Sequence, residues 1–296
     1  MPAFQLNLEC TNQIRTPRLY HFNRSTKTQI IEDLSGTMSL TEALTSNTPF
    51  TGDPNALGKA LGKWLRNFHS WTADGAQAHL RRSVYENSAM RRIRYDISYG
   101  AFVDVLKNFP NIWEAKGQIL EKVKSMATEE YARTPHDELN TSWGVVHGDF
   151  WTGNVLISSS NIGKRPEGGI ELFIIDWELA QYGRLGYDLG QMIGDLYERA
   201  IFASAESALQ LIRGFVSGYE SLTEEEAFRV AIHAGQHLVC WYIRRDPSSS
   251  LIGIEKQVEE AMCIGSDFIV KGWAQDRDWF ARSDLACLFT YAENSE

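Results

Sequence analysis

Three short segments in the second half of the chain place polar side chains directly after apolar runs or at a helix start. The first is Val145-Val146-His147-Gly148-Asp149-Phe150-Trp151-Thr152-Gly153-Asn154, and the second is Leu172-Phe173-Ile174-Ile175-Asp176-Trp177-Glu178. The third is Gly186-Tyr187-Asp188-Leu189-Gly190. Asp149, Asn154, Asp176 and Glu178 are oxygen donors, the ligand type that Mg²⁺ takes while keeping part of its water shell. One or two carboxylates, an amide and substrate phosphates suffice for such an ion. If the strands around 154 and 176 pair, Asn154 and Asp176 converge at one end and Asp149 stays free to take a proton from a hydroxyl. A metal held by Asp and Asn, with a separate Asp orienting the nucleophile, is the division of labour of phosphoryl transfer. Each segment alone is ordinary turn chemistry, because Asp and Asn favour turns. The three in order, two of them fed by apolar runs, point beyond turns.

The elements that must position these residues are legible around them. Val145-Val146, Val155–Ile157 and Leu172–Ile175 are short buried-strand patterns. The last two are joined by a polar insertion from Ser158 to Gly169, which gives a long loose hairpin. From Asp188 onward the pattern is helical. Thr223 with Glu226 forms a capping box, and Ala227, Val230, Ala231, Ala234, Leu238 and Trp241 line one helix face. A last helix runs from about Ile254 to Trp273. Upstream, Asp53-Pro54 is an N-cap followed by Pro at the first helical position. Leu57, Leu61, Trp64, Leu65 and Phe68 then recur at helical spacing. Residues 98–108 and 112–127 read as further helices, and Thr134–Thr141 as a polar connection. Nearest the N-terminus, Arg18–Phe22 and Gln29–Ile31 flank turn residues and predict a β-hairpin.

Composition narrows the function classes. The chain has 296 residues, 43% hydrophobic and 23% charged. These are globular values, and the length predicts two domains or two lobes of one. No apolar run reaches the length of a membrane span, and the first residues lack the pattern of a signal peptide. The expectation is a cytoplasmic protein without a membrane partner. Lys and Arg number 29 against 38 Asp and Glu, a net charge of −9. That balance argues against nucleic acid, which needs clustered positive charge, and for a small-molecule substrate. Cys10, Cys240, Cys263 and Cys287 show no metal-ligand spacing and predict free thiols.

The motif string is specific enough to name a family. His147-Gly148-Asp149 with Asn154, then Ile175-Asp176-Trp177-Glu178, then Tyr187-Asp188-Leu189, resembles the aminoglycoside phosphotransferase and choline kinase group. Gln181 to Gly190 is similar to its methylthioribose kinase branch. The resemblance covers roughly residues 16–245 and implies an α+β, protein-kinase-like fold. It implies a small β N-lobe, here incomplete and confined to residues 1–38, and a mostly helical C-lobe over 39–296. It implies ATP and Mg²⁺ as cofactors and transfer of the γ-phosphate to a hydroxyl of a small metabolite or aminoglycoside-like compound. By the same resemblance Asp149 is the catalytic base and His147 braces its loop. Asn154, Asp176 and Glu178 hold the metal, and Asp188 supports the loop backbone. Ile31, Glu32, Asp33 and Leu34 correspond to the hinge that meets the adenine.

One departure opens a second reading. The group's N-lobe carries a nucleotide-covering glycine loop and a strand lysine that grips the phosphates. Here no glycine precedes Gly36 and no lysine precedes Lys27, which lies in the hairpin turn. The chain then reads either as a shortened kinase or as a catalytically impaired, kinase-like binding or scaffold protein. A missing half-sheet also predicts exposed strands over 17–34. Among the other residues, His233 and His237 share a helix face and read as a buried or cleft-lining pair before a metal pair. Trp241 and Tyr242 read as core aromatics or substrate contacts, and His69 as a packed helix-end residue. Arg81, Arg82, Arg91, Arg92 and Arg94 read as a solvated helix face, with a phosphate or partner patch as the alternative.

Overall fold

A computed structural model describes residues 5–7, 13–46, 52–132, 142–159, 170–220, 222–246 and 251–290. The expected polar connection at Thr134–Thr141, most of the Ser158–Gly169 insertion and Cys10 lie outside these residues.

The N-terminal strands are β1 (Gln5–Asn7), β2 (Gln13–Arg15), β3 (Leu19–Asn23), β4 (Thr28–Ile31) and β5 (Thr37–Ser39). Two long apolar-faced helices anchor the other end: α2 (Pro54–Ala73) and α6 (Pro110–Ala132). Between and before them lie α1 (Leu40–Thr45), α3 (Ala78–Tyr85), α4 (Ser88–Asp96) and α5 (Phe102–Leu106). The polar segments sit among β6 (Trp143–Val146), β7 (Val155–Ser158), β8 (Glu171–Ile174) and β9 (Gln181–Arg184). Helices α7 (Gly186–Phe202), α8 (Glu206–Tyr219), α9 (Glu224–Arg244), α10 (Glu255–Trp273) and α11 (Arg277–Phe280) complete the described chain.

The strands sort into three groups. A five-stranded sheet runs β1-β2-β8-β7-β5, with β2 parallel to β8 and the other pairs antiparallel. β6 and β9 form an antiparallel ribbon, and β3 and β4 a separate hairpin. The β7–β8 hairpin is therefore flanked on both sides by strands from the first 39 residues. The β3–β4 hairpin stands apart with its side chains in solvent: Tyr20 is 59%, Ile30 55% and Ile31 53% exposed.

The helical layer is built around α2 and α8. Leu61, Trp64, Leu65 and Phe68 are at most 1% exposed, and burying each contributes about 1.5–3 kcal/mol. Asp53 caps α2 by accepting from the Asn55 N–H at 2.9 Å. The two helices cross backbone to backbone. A Cβ on Gly62 would lie 2.0 Å from the Phe215 carbonyl oxygen, and one on Gly218 would lie 2.1 Å from that of Lys59. Only glycine allows that approach.

Several sequence expectations need correction. The helix expected over 98–108 is a single short turn of helix, α5, because residues 97–101 form turns. The next helix starts at Pro110, whose ring suits a first turn, and extends to Ala132. β2, β5, β9, α3 and α4 carry too few apolar residues to have signalled themselves. The arginine cluster does not form one solvated face. Arg82 and Arg92 are exposed, Arg81 caps the Thr72 and Asp74 carbonyls, and Arg94 is only 8% exposed.

Candidate active site

The loop from β6 to β7 is fixed from beneath by one carboxylate. Asp188, fully buried in the first turn of α7, accepts the His147 N–H at 2.8 Å and the Gly148 N–H at 3.0 Å. It also lies 3.2 Å from His69 Nε2, whose Nδ1 is 2.9 Å from the Tyr219 hydroxyl. With Asp188 ionised, Nε2 carries the proton and Nδ1 accepts from tyrosine. Burial works against the charge on Asp188. The hydrogen bonds from His69 and from the His147 N–H outweigh it, and hold the carboxyl below the ordinary aspartate range. The α2–α8 contact places His69 against Tyr219, so the packing of two glycine-notched helices sets the support of this loop. Gly148 takes φ +82°, and a Cβ there would lie 2.2 Å from the Leu179 carbonyl oxygen.

His147 joins the loop to the Asp176 segment. Its Nε2 donates to the Ile175 carbonyl at 2.9 Å and its Nδ1 accepts the Asp149 N–H at 3.3 Å. Burial pushes its imidazolium form down against the pull of Asp188 and Asp149. Both ring nitrogens are spent on backbone groups and the residue is fully buried. This is a bracing geometry.

Asp149 is half-buried, and its carboxylate is gripped by three side chains. Asn154 Nδ2 donates to Oδ2 at 2.9 Å and Trp151 Nε1 donates to the same oxygen at 3.2 Å. Gln191 Nε2 donates to Oδ1 at 2.6 Å. Asn154 Nδ2 also donates to the Asp149 carbonyl at 2.9 Å, which turns its own Oδ1 away from Asp149. The Ile175 N–H donates to the Asn154 carbonyl at 3.0 Å, so Asp176 follows one residue beyond a direct link to Asn154. Asp176 is exposed and takes the left-handed backbone conformation, φ 65° and ψ 61°. Such a conformation costs an aspartate on the order of 1 kcal/mol and persists where neighbours impose it. Here the His147 and Asn154 bonds to Ile175 do so. Glu178 is exposed two residues on. Beneath the loop, Phe150 stacks on Trp64 at 6.0 Å between centroids and Trp177 meets Phe68 edge-on at 5.1 Å.

The hinge expectation falls on a segment that leaves the exposed hairpin for β5. The Glu32 carboxylate is bound by Arg15 at 2.6 and 2.8 Å and accepts the Arg18 N–H at 3.0 Å. The Arg15 hydrogen bond, with that N–H, pulls Glu32 down to about 2. The Glu32 N–H donates to Arg18, and the Leu34 carbonyl accepts from Thr37. Ile31 and Asp33 are exposed, and Lys27 sits exposed in the hairpin turn.

The remaining candidates separate. His233 is held by Tyr99 and Arg94. His237 lies within 4.8 Å of carboxylate oxygens of Asp195 and Glu198. Those carboxylates are taken by Arg199, Arg244 and Thr152, so guanidinium groups stand where a metal would. Trp241 stacks on Phe202 at 3.9 Å and Tyr242 packs on Phe109 at 5.6 Å. Sequence reasoning missed Gln191 and Asp195, which contact the loop directly. Their signal was a polar stripe three and seven residues after Asp188, on a helix otherwise rich in Leu, Met and Ile. It also missed Thr152, whose hydroxyl meets that of Thr41 at 2.6 Å and ties α1 to the loop.

The sequence profile described as "Phosphotransferase enzyme family" matches residues 12–227. Phosphotransferase FrzJ from Cladobotryum sp is 30% identical over 286 residues, covering 95% of this chain and 72% of FrzJ. Methylthioribose kinase from Bacillus thuringiensis subsp. konkukian is 25% identical over 201 residues, covering 64% of this chain and 46% of that enzyme. The chain thus spans less than half of the latter's length. Among solved structures, ethanolamine kinase from Plasmodium vivax aligns with a TM-score of 0.46 at 12% identity, over 87% of this chain and 70% of that one. No helix of the described residues is long and apolar enough to cross a membrane. With its profile match spanning both the 147–154 loop and the Asp176 segment, this α+β chain belongs to the phosphotransferase enzyme family.

Proposed function

We propose that the protein transfers the γ-phosphoryl group of Mg·ATP to a hydroxyl of a small molecule. Asp149 is the base that takes the hydroxyl proton. The observation that supports this most is the grip on its carboxylate: three donors from Trp151, Asn154 and Gln191 hold it in one orientation. Orientation of this kind is the main thing a protein contributes to phosphoryl transfer.

The donor set suits a divalent ion. Asn154 directs its amide nitrogen at Asp149 and leaves its oxygen available, and Asp176 offers an exposed carboxylate next to it. Asn154 and Asp176 would hold Mg²⁺, with Glu178 as a further oxygen donor. The ion, when bound, neutralises phosphate charge. His147 is read as a positioning residue, since neither ring nitrogen is free to move a proton. The 31–34 segment offers its remaining backbone groups to adenine.

Calorimetric titration of the folded chain with Mg·ATP tests the binding half, and ADP formation from Mg·ATP, with water or an added small-molecule alcohol as acceptor, tests the transfer half. Heat of binding together with loss of turnover in Asp149→Asn is the expected result. Absence of heat with a folded sample overturns nucleotide binding. Binding without any transfer leaves the binding-protein reading in place of the enzyme. Turnover that survives Asp149→Asn overturns the assigned base.

A further inference from the structure

Arg94 is a buried cation without an acidic partner. It lies on α4 at 8% exposure, and among the described residues its guanidinium makes no ion pair with a carboxylate. Burying a charge this way costs several kcal/mol unless the surroundings offset it. What surrounds Arg94 is a chain of neutral groups leading to the active site. Its Nη2 donates to Gln191 Oε1 at 2.8 Å and to His233 Nε2 at 3.0 Å. Gln191 then donates through Nε2 to Asp149 Oδ1 at 2.6 Å. The carboxylates whose charge bears most on Arg94 are Asp149 and Asp188.

The direction of every bond in this chain follows from one fact: a guanidinium only donates. Gln191 must turn its oxygen to Arg94, which leaves its NH₂ for Asp149. A flipped amide would set oxygen against carboxylate and NH₂ against guanidinium, two repulsive contacts. His233 must likewise offer Nε2 as an acceptor, so its Nδ1–H points to the Tyr99 hydroxyl at 3.2 Å. Burial and the Arg94 charge hold His233 well below the ordinary imidazole range, in the neutral form this pattern requires.

We propose that Arg94 is a positioning residue for phosphoryl transfer, acting through Gln191 to lock the orientation of the Asp149 carboxylate. Gln191 pins Oδ1 while Asn154 and Trp151 pin Oδ2. Removing the first grip frees the carboxylate to rotate about its side chain. The inference rests on Asp149 as the base, and its test separates the two claims.

The assay is phosphate release from Mg·ATP by the full chain, with water as acceptor. Misplacement of a reacting group lowers rate by about 10- to 100-fold. Gln191→Met and Arg94→Met are each expected to lower kcat in this range with KM for ATP unchanged. The double variant is expected to lose no more than either single one, because Arg94 acts only through the amide. Arg94→Lys, which keeps a donor for Gln191, is expected to recover most of the loss. Full kcat in Gln191→Met, or additive losses in the double variant, overturns the relay. If Arg94→Met does not fold, Gln191→Met and Arg94→Lys carry the test. Crystal structures of the wild type and Gln191→Met give a readout independent of turnover. An Asp149 side chain displaced from its Asn154 and Trp151 partners supports the relay, and one unmoved overturns it. Asp149→Asn run alongside reports on the base itself, so an active Asp149→Asn removes that reading whatever the relay variants do.

Discussion

Replacing Asp188 by asparagine changes almost no volume and tests the support of the 147–154 loop directly. In the native carboxylate, Oδ1 serves the Gly148 N–H, and Oδ2 serves the His147 N–H and His69. Asparagine keeps one oxygen. Placed toward His147 and His69, it leaves its NH₂ facing the Gly148 N–H, a donor against a donor. A buried N–H left without an acceptor costs about 1–3 kcal/mol. The two surviving bonds fall from charge-assisted to neutral, a loss of about 1 kcal/mol each. The sum is about 3–5 kcal/mol, a large share of the roughly 5–15 kcal/mol that keeps a domain folded. At about 2–4 °C per kcal/mol, melting should drop by roughly 6–20 °C at pH 7. The pH dependence has a definite sign. The native carboxyl is held below its ordinary value of 3.8, so its contribution is complete above that value and is lost as pH falls through the native one. The gap between wild type and variant should therefore narrow in acid. Thermal melts of both proteins from pH 7 downward give the answer. A variant that melts with wild type at pH 7, or a gap that widens in acid, refutes the reasoning.

Two further perturbations follow from the same structure. Gly62→Ala puts a methyl group 2.0 Å from the Phe215 carbonyl, so α2 and α8 must part. Overpacking of this kind costs about 1–3 kcal/mol, and an unchanged denaturant midpoint would show that the helices do not meet as described. Glu32→Gln removes one of the two carboxylate partners of Arg15 and leaves Glu171. The Glu32 and Arg15 side chains are partly exposed, so the cost should stay below about 1 kcal/mol. It should be fully present above the ordinary carboxyl value of 4.5 and vanish as pH falls through about 2. A urea-midpoint difference that grows in acid would contradict that sign.

The parts of the site legible in the sequence are those held by short-range order. Asp149 and Asp176 follow apolar strands and Asn154 immediately precedes one, and a strand pattern tells which end its neighbours occupy. The helix at 54–73 and the capping box at Thr223 were readable for the same local reason. What the sequence did not disclose depends on partners far along the chain. Arg94 looked like one of five solvated arginines because nothing near it shows that Gln191 and His233 close over it. β2 and β5 carry only three residues each, and their place is fixed by β8 and β7 more than a hundred positions away. Glu32, read as part of a hinge, also spends its carboxylate on Arg15 and the Arg18 N–H, ties that its immediate neighbours do not signal.

The parallel pairing of β2 with β8 sets a timetable for biosynthesis. Arg15 and its cross-sheet partner Glu171 are separated by 156 positions. At about 5–20 residues per second, a ribosome needs roughly 8–30 s to deliver the second after the first. For most of that interval β2 lacks β8, the strand it joins in the sheet. The nascent chain is most open to chaperone capture then, and slowing translation ahead of Glu171 should lower the soluble yield more than slowing it afterwards.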